Sequence, residues 1–160
     1  MAHVDVQSDR TPSETLHTAY IAEVVRSLAA SGVPADTDRV TVLAGPPRLA
    51  STLIDPEVVG RWRDAEWMAL AWSERSGWSW QVKFAHEPIP RDAVYFGVAL
   101  LPLPEQITVW VMTLLGHRGI DLPRRPYRPY FAGADLDIAL ARYEVLSRAR
   151  KEVNAAVGEM

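Results

Sequence analysis

The stretch LAWSERSGWSW, residues 70–80, sets three tryptophans around a charged break that contains a glycine. Two readings compete for it. The rings could form a platform that stacks a planar ligand, or the segment could be a tight turn between two strands that bury them. Residues 78–85 alternate, with Trp78, Trp80, Val82 and Phe84 on one side and Ser79, Gln81 and Lys83 on the other. That is the period-two pattern of a half-buried strand, and residues 66–73 supply its partner. Arg75-Ser76-Gly77 fits a three-residue hairpin loop, a type I turn followed by a left-handed residue, with Gly77 in the left-handed position. This loop sets Glu74 opposite Trp78, Trp72 opposite Trp80, Leu70 opposite Val82 and Met68 opposite Phe84. All the large apolar side chains then share one face, and Ala69, Ala71, Ser73, Ser79, Gln81 and Lys83 share the other. A two-residue loop would scatter the apolar set across both faces, so the pattern itself selects the register. Buried hairpin core is therefore favoured over a stacking platform, which would need exposed rings. At the tip, Glu74 and Arg75 read as solvated turn residues, with contact to a partner as their functional alternative.

Working outward, residues 1–11 are polar and non-periodic, a loose tail. Thr11-Pro12-Ser13-Glu14 has the form of a capping box. Leu16, Tyr20, Val24 and Leu28 then recur every four residues beside Ile21 and Val25, the stripe of an amphipathic helix. Gly32 and Pro34 end it, and His17 falls on its solvated flank. Residues 39–44 and 49–55 read as two strands across a Gly-Pro-Pro turn. PEVVGRWRDA is an irregular connector with room for a helical turn. Residues 94–99 read as a further strand, with Gly97 as a bulge or point of close approach. Pro104 opens a second helix carrying Ile107, Trp110, Val111, Leu114 and Leu115, and Gly116 stops it. A last helix over about 134–157 has Leu136, Leu140, Tyr143, Leu146, Val153 and Val157 as its stripe.

The chain has 160 residues, a net charge of −3 and no cysteine. Its length suits one core-forming domain. The acidic balance gives no global attraction to nucleic acid or to an anionic membrane. Without cysteine there is no disulfide, thiolate metal site or Cys nucleophile. No apolar signal core or membrane-length run is present, and the expected location is the cytoplasm.

The order HTAYIAEVVRSL, LAWSERSGW, YFG, LPLPEQI resembles a family of small uncharacterised actinobacterial proteins, over about residues 16–115. The matching positions include Ala19, Tyr20, Trp72, Ser73, Glu74, Arg75, Gly77, Trp78, Phe96, Gly97, Pro102 and Pro104. The resemblance implies a leading helix, a hairpin of W-S-E-R-x-G-W type, an aromatic-Gly segment and a Pro-started helix. The family has no established activity, so no catalytic residue transfers.

Catalytic and cofactor patterns are scarce. His3, His17, His86 and His117 show no metal-ligand spacing, and His86-Glu87 sits in a Pro-bounded loop. Ser76-Gly77 is not a nucleophile turn, and AGPPR lacks the glycines and free amides of a phosphate loop. The basic segment HRGIDLPRRPYRPY interleaves Arg118, Arg124, Arg125 and Arg128 with Tyr127 and Tyr130. It reads as a stiff linker first, a protein-contact arm second, and a nucleic-acid contact third, because four arginines on an acidic chain make a small footprint.

The expectation is an α+β fold: an antiparallel meander of four or five strands packed against N-terminal and C-terminal helices. Its parts are a tail (1–11), a domain (12–116), a Pro/Arg-rich linker (117–133) and a C-terminal helix (134–160) that packs on the domain or on a partner chain. The leading function is a non-catalytic interaction protein (a small regulator, adaptor or chaperone-like module) with no cofactor, no metal and a protein partner, a homodimer included. Its candidate contact residues are Glu74, Arg75, Arg124, Arg125, Tyr127, Arg128 and Tyr130. The alternatives are a small-molecule or nucleotide-binding domain with a pocket near Trp62, Trp67 or Trp110, and nucleic-acid contact through residues 118–130.

Overall fold

In the computed structural model, which describes residues 15–57, 59–116 and 134–158, a five-stranded antiparallel meander runs in the order β1-β2-β3-β4-β5. The strands are β1 (Thr41–Leu43), β2 (Leu49–Ile54), β3 (Ala65–Ser73), β4 (Gly77–Phe84) and β5 (Val94–Tyr95). Three helices accompany them: α1 (His17–Ala30), α2 (Pro104–Gly116) and α3 (Ala134–Gly158). The fold is α+β, as the sequence pattern requires.

The central hairpin buries its aromatic face. Met68, Leu70, Trp72, Trp78, Trp80, Val82 and Phe84 all lie in the core. The register differs from the sequence expectation by two residues: Ser73 pairs with Gly77, Trp72 with Trp78, Leu70 with Trp80 and Met68 with Val82. The cause is local. The Ser76 N–H donates to the Ser73 carbonyl at 3.3 Å, and the Arg75 N–H donates to Ser73 Oγ at 3.1 Å. These bonds close the turn over 73–76, so Gly77 begins β4 instead of completing the loop. A shift of two keeps every side chain on its expected face. An irregularity between Ala65 and Trp67 absorbs the far end and sets Phe84 opposite Ala65.

Rows of paired residues cross the sheet on the helix side: Val42, Ala50, Trp72, Trp78, and next to them Thr52, Leu70, Trp80, Val94. On the opposite side the rows are small and polar, such as Thr41, Ser51, Ala71, Ser79, Tyr95. β5 is two residues long, shorter than the strand expected over 94–99. The chain leaves the ladder by Gly97, whose φ is +67°.

α1 packs its stripe of Tyr20, Ile21, Val24, Val25 and Leu28 onto the hairpin. Gly32 ends it in the left-handed region at φ +77°, and the Val33 N–H returns to the Leu28 carbonyl at 3.0 Å. This is the glycine C-cap that satisfies the last carbonyls of a helix. The capping box expected over 11–14 lies outside the described residues. His17 is not on a solvated flank. It is fully buried and stacks on Trp72 with ring centroids 5.6 Å apart. α2 begins at Pro104 because Gln106 reaches back and accepts the Leu103 N–H at 2.8 Å, half of a capping box. Ser27 and Thr108 share a hydrogen bond of 2.8 Å between α1 and α2.

α3 lies against α1, but only its first half is buried. Leu136 and Leu140 are in the core, and Tyr143 packs edge-on to Tyr20 at 4.9 Å. Leu146, Val153 and Val157, expected on the same apolar stripe of a helix packing on the domain or on a partner chain, are 56%, 61% and 62% exposed. The physical reason is length: α3 has 25 residues and α1 has 14, so the longer helix outruns its support.

Gly77 gives this architecture a direct test. Its φ is +70°, and a Cβ there would meet the Ala99 carbonyl oxygen at 3.2 Å. Left-handed backbone costs a residue with a Cβ about 1–2 kcal/mol. Gly77→Ala is therefore expected to lose about that much in urea unfolding, and unchanged stability would mean the hairpin closes another way.

Candidate functional site

Those sequence-selected residues that lie among the described ones do not assemble into one place. Trp62, from the 3₁₀ turn Gly60–Trp62, is 6% exposed and stacks on Phe84, with its Nε1–H donating to the Leu115 carbonyl at 3.0 Å. Trp67 is half-buried and alternates with Met68, so it faces the other side of the sheet. Trp110 is half-buried on α2, edge-on to Phe96 at 5.5 Å. Trp62, against Trp80 and Phe84 on the core face, thus lies across the sheet from Trp67. Arg75 is exposed at the hairpin tip. Arg124, Arg125, Tyr127, Arg128 and Tyr130 lie outside the described residues, as does the whole 117–133 linker.

Glu74 departs from expectation. It is 7% exposed, not a solvated turn residue. Its carboxylate accepts the Arg48 Nε–H at 2.7 Å and the Arg48 backbone N–H at 3.0 Å, and its own N–H donates to the Arg48 carbonyl at 3.1 Å. The tip of the β3–β4 hairpin is thus strapped to the turn before β2. Arg48 also donates from Nη1 to Asp137 on α3 at 2.7 Å. Burial works against the Arg48 charge, but the carboxylates of Asp137 and Glu74 outweigh it and hold its pKa above the usual arginine value.

His17 completes this buried polar cluster. Its Nε2 contacts the Leu49 carbonyl at 3.2 Å. A carbonyl only accepts, so the neutral ring carries its proton on Nε2. Nδ1 is buried without a hydrogen-bond partner. Burial holds the His17 pKa below 6.5; the Leu49 carbonyl opposes that shift and the Arg48 charge adds to it. The sequence hinted at little of this. Arg48 shows only as a lone charge ahead of an apolar strand, and His17 as a polar residue beside a helical stripe.

Chemically the cluster is a strap. The Arg48 Nε–H is bonded to Glu74 and its Nη1–H to Asp137, and the imidazole is sealed against Trp72. Among the described residues no group of three or more His, Asp or Glu is placed to hold a metal.

The unsatisfied surface is apolar and lies elsewhere. A groove of about 470 Å³ runs between α1 and β1, with Ala22, Val25, Ala29, Val40 and Val42 in its walls. On α3, Ile138, Val145, Leu146, Val153 and Val157 are each more than half exposed. A cleft of about 530 Å³ sits at the C-terminal ends of α1 and α2, between Val33, Arg61, Met112 and Leu115. No helix among the described residues is long and apolar enough to cross a membrane.

These features define a two-layer α+β protein with a strapped core and unpartnered helix surface. No protein-family model, curated protein or solved structure matches the chain.

Two measurements follow from the cluster. Breaking a buried ion pair costs about 3–5 kcal/mol, whereas a partly exposed one contributes ~1 kcal/mol or less. The Asp137 side chain is 42% exposed, against 9% for Glu74. Glu74→Ala is therefore expected to lose about 3–5 kcal/mol in urea unfolding and Asp137→Ala about 1 kcal/mol or less. Equal losses would refute the assignment of Glu74 as the main anchor.

His17 sets the pH response. Its folded pKa is depressed below 6.5, so at lower pH the unfolded chain takes up a proton that the folded chain resists. Its contribution is complete above pH 6.5 and is lost as pH falls from there toward the folded pKa. Stability measured against pH is expected to drop over that interval, and the drop is expected to shrink in His17→Phe.

Proposed function

We propose that the chain is a non-catalytic interaction protein, a small cytoplasmic regulator or adaptor whose contact element is the second half of α3. The observation that carries this reading is the exposure of Val145, Leu146, Val153 and Val157, at 65%, 56%, 61% and 62%, on one continuous helix. Single exposed aliphatics are ordinary, but a contiguous apolar patch rimmed by charge marks a contact surface. Arg148 and Glu152 flank Val145 at helical spacing. The polar cluster supports the same reading, because the Arg48 guanidinium is taken up by the carboxylates of Glu74 and Asp137. The resemblance to small actinobacterial proteins carries no activity that would compete with it.

The test is capture from native extract with the full chain, compared with the Val145→Glu/Val153→Glu variant. The expected result is a protein, a further copy of this chain or another, retained in stoichiometric amount by the native chain and lost with the variant. Identical capture by both, or none by either, overturns the reading.

The cleft at the C-terminal ends of α1 and α2 favours a second reading, a small-molecule site. Its volume suits a compact ligand, and Arg61 on its wall, which donates to the Gly116 carbonyl at 2.6 Å, is a polar group at its rim.

A further inference from the structure

We draw no further inference here: the strongest candidate, the apolar groove between α1 and β1 walled by Ala22, Val25, Ala29, Val40 and Val42, carries none because nothing in the structure shows what covers it, Arg26 at its rim being already paired with Glu23.

Discussion

The Tyr20 hydroxyl is the point on which the two layers depend. It receives the Trp78 Nε1–H at 2.9 Å and donates to the Pro102 carbonyl at 2.8 Å. One oxygen thereby joins β4, α1 and the segment that leads into α2, at a position with no solvent exposure. Burial pushes the Tyr20 pKa upward, so the hydroxyl stays protonated and keeps its donor. The Trp72 Nε1–H makes a parallel bond to the Leu100 carbonyl at 2.9 Å. A hydrogen bond of this kind contributes only about 1 kcal/mol net, but an orphaned indole N–H in this core would cost about 1–3 kcal/mol. The bonds therefore act mainly by selection. They let large aromatic surface be buried while permitting one arrangement of helix over sheet.

The second constraint is the strap formed by Arg48, Glu74 and Asp137. It ties two turns of the sheet together and then reaches α3, but it does so only at the first turn of that helix. Buried ion pairs of this kind add little net stability and are costly to break, so they serve registration more than strength. Here they register the start of α3 against the sheet, while Tyr143 and Arg150 hold its middle to α1. Beyond Arg150 every described residue of α3 is exposed. The free apolar stripe is thus a consequence of anchoring a long helix at one end.

Much of the fold was legible because its signals are local. Alternation in β4, four-residue recurrence in α1, Gly77 at the turn and Pro104 at the start of α2 each report on neighbours in sequence. The hairpin register was misread by two residues, since the deciding bonds are those of the Ser73 hydroxyl and carbonyl, which compete with the glycine for the end of the turn. The faces survived that error because side-chain direction depends only on parity. The buried roles of His17, Arg48 and Glu74 were not legible. Each depends on a partner 26 or more residues away, and a polar residue beside an apolar stripe carries the same local pattern whether it meets water or an ion pair.

The end of α3 reads in sequence as an amphipathic helix that packs on the domain or on a partner chain, and the fold leaves its second half uncovered. An isolated helix of this length is marginal in water because its first turn must be nucleated at high cost. Residues 145–158 are spared that step, since they extend a helix already formed and anchored by Leu136, Leu140 and Tyr143. Propagation needs only one further hydrogen bond per residue, and Ala149, Ala155 and Ala156 favour it. The chain can thus present a preformed apolar helix at little conformational cost. A partner that covers it gains the burial of its valines and leucine without the ordering loss that a disordered segment would incur. Under the contact role proposed above, that economy favours the half of α3 that its own domain leaves uncovered.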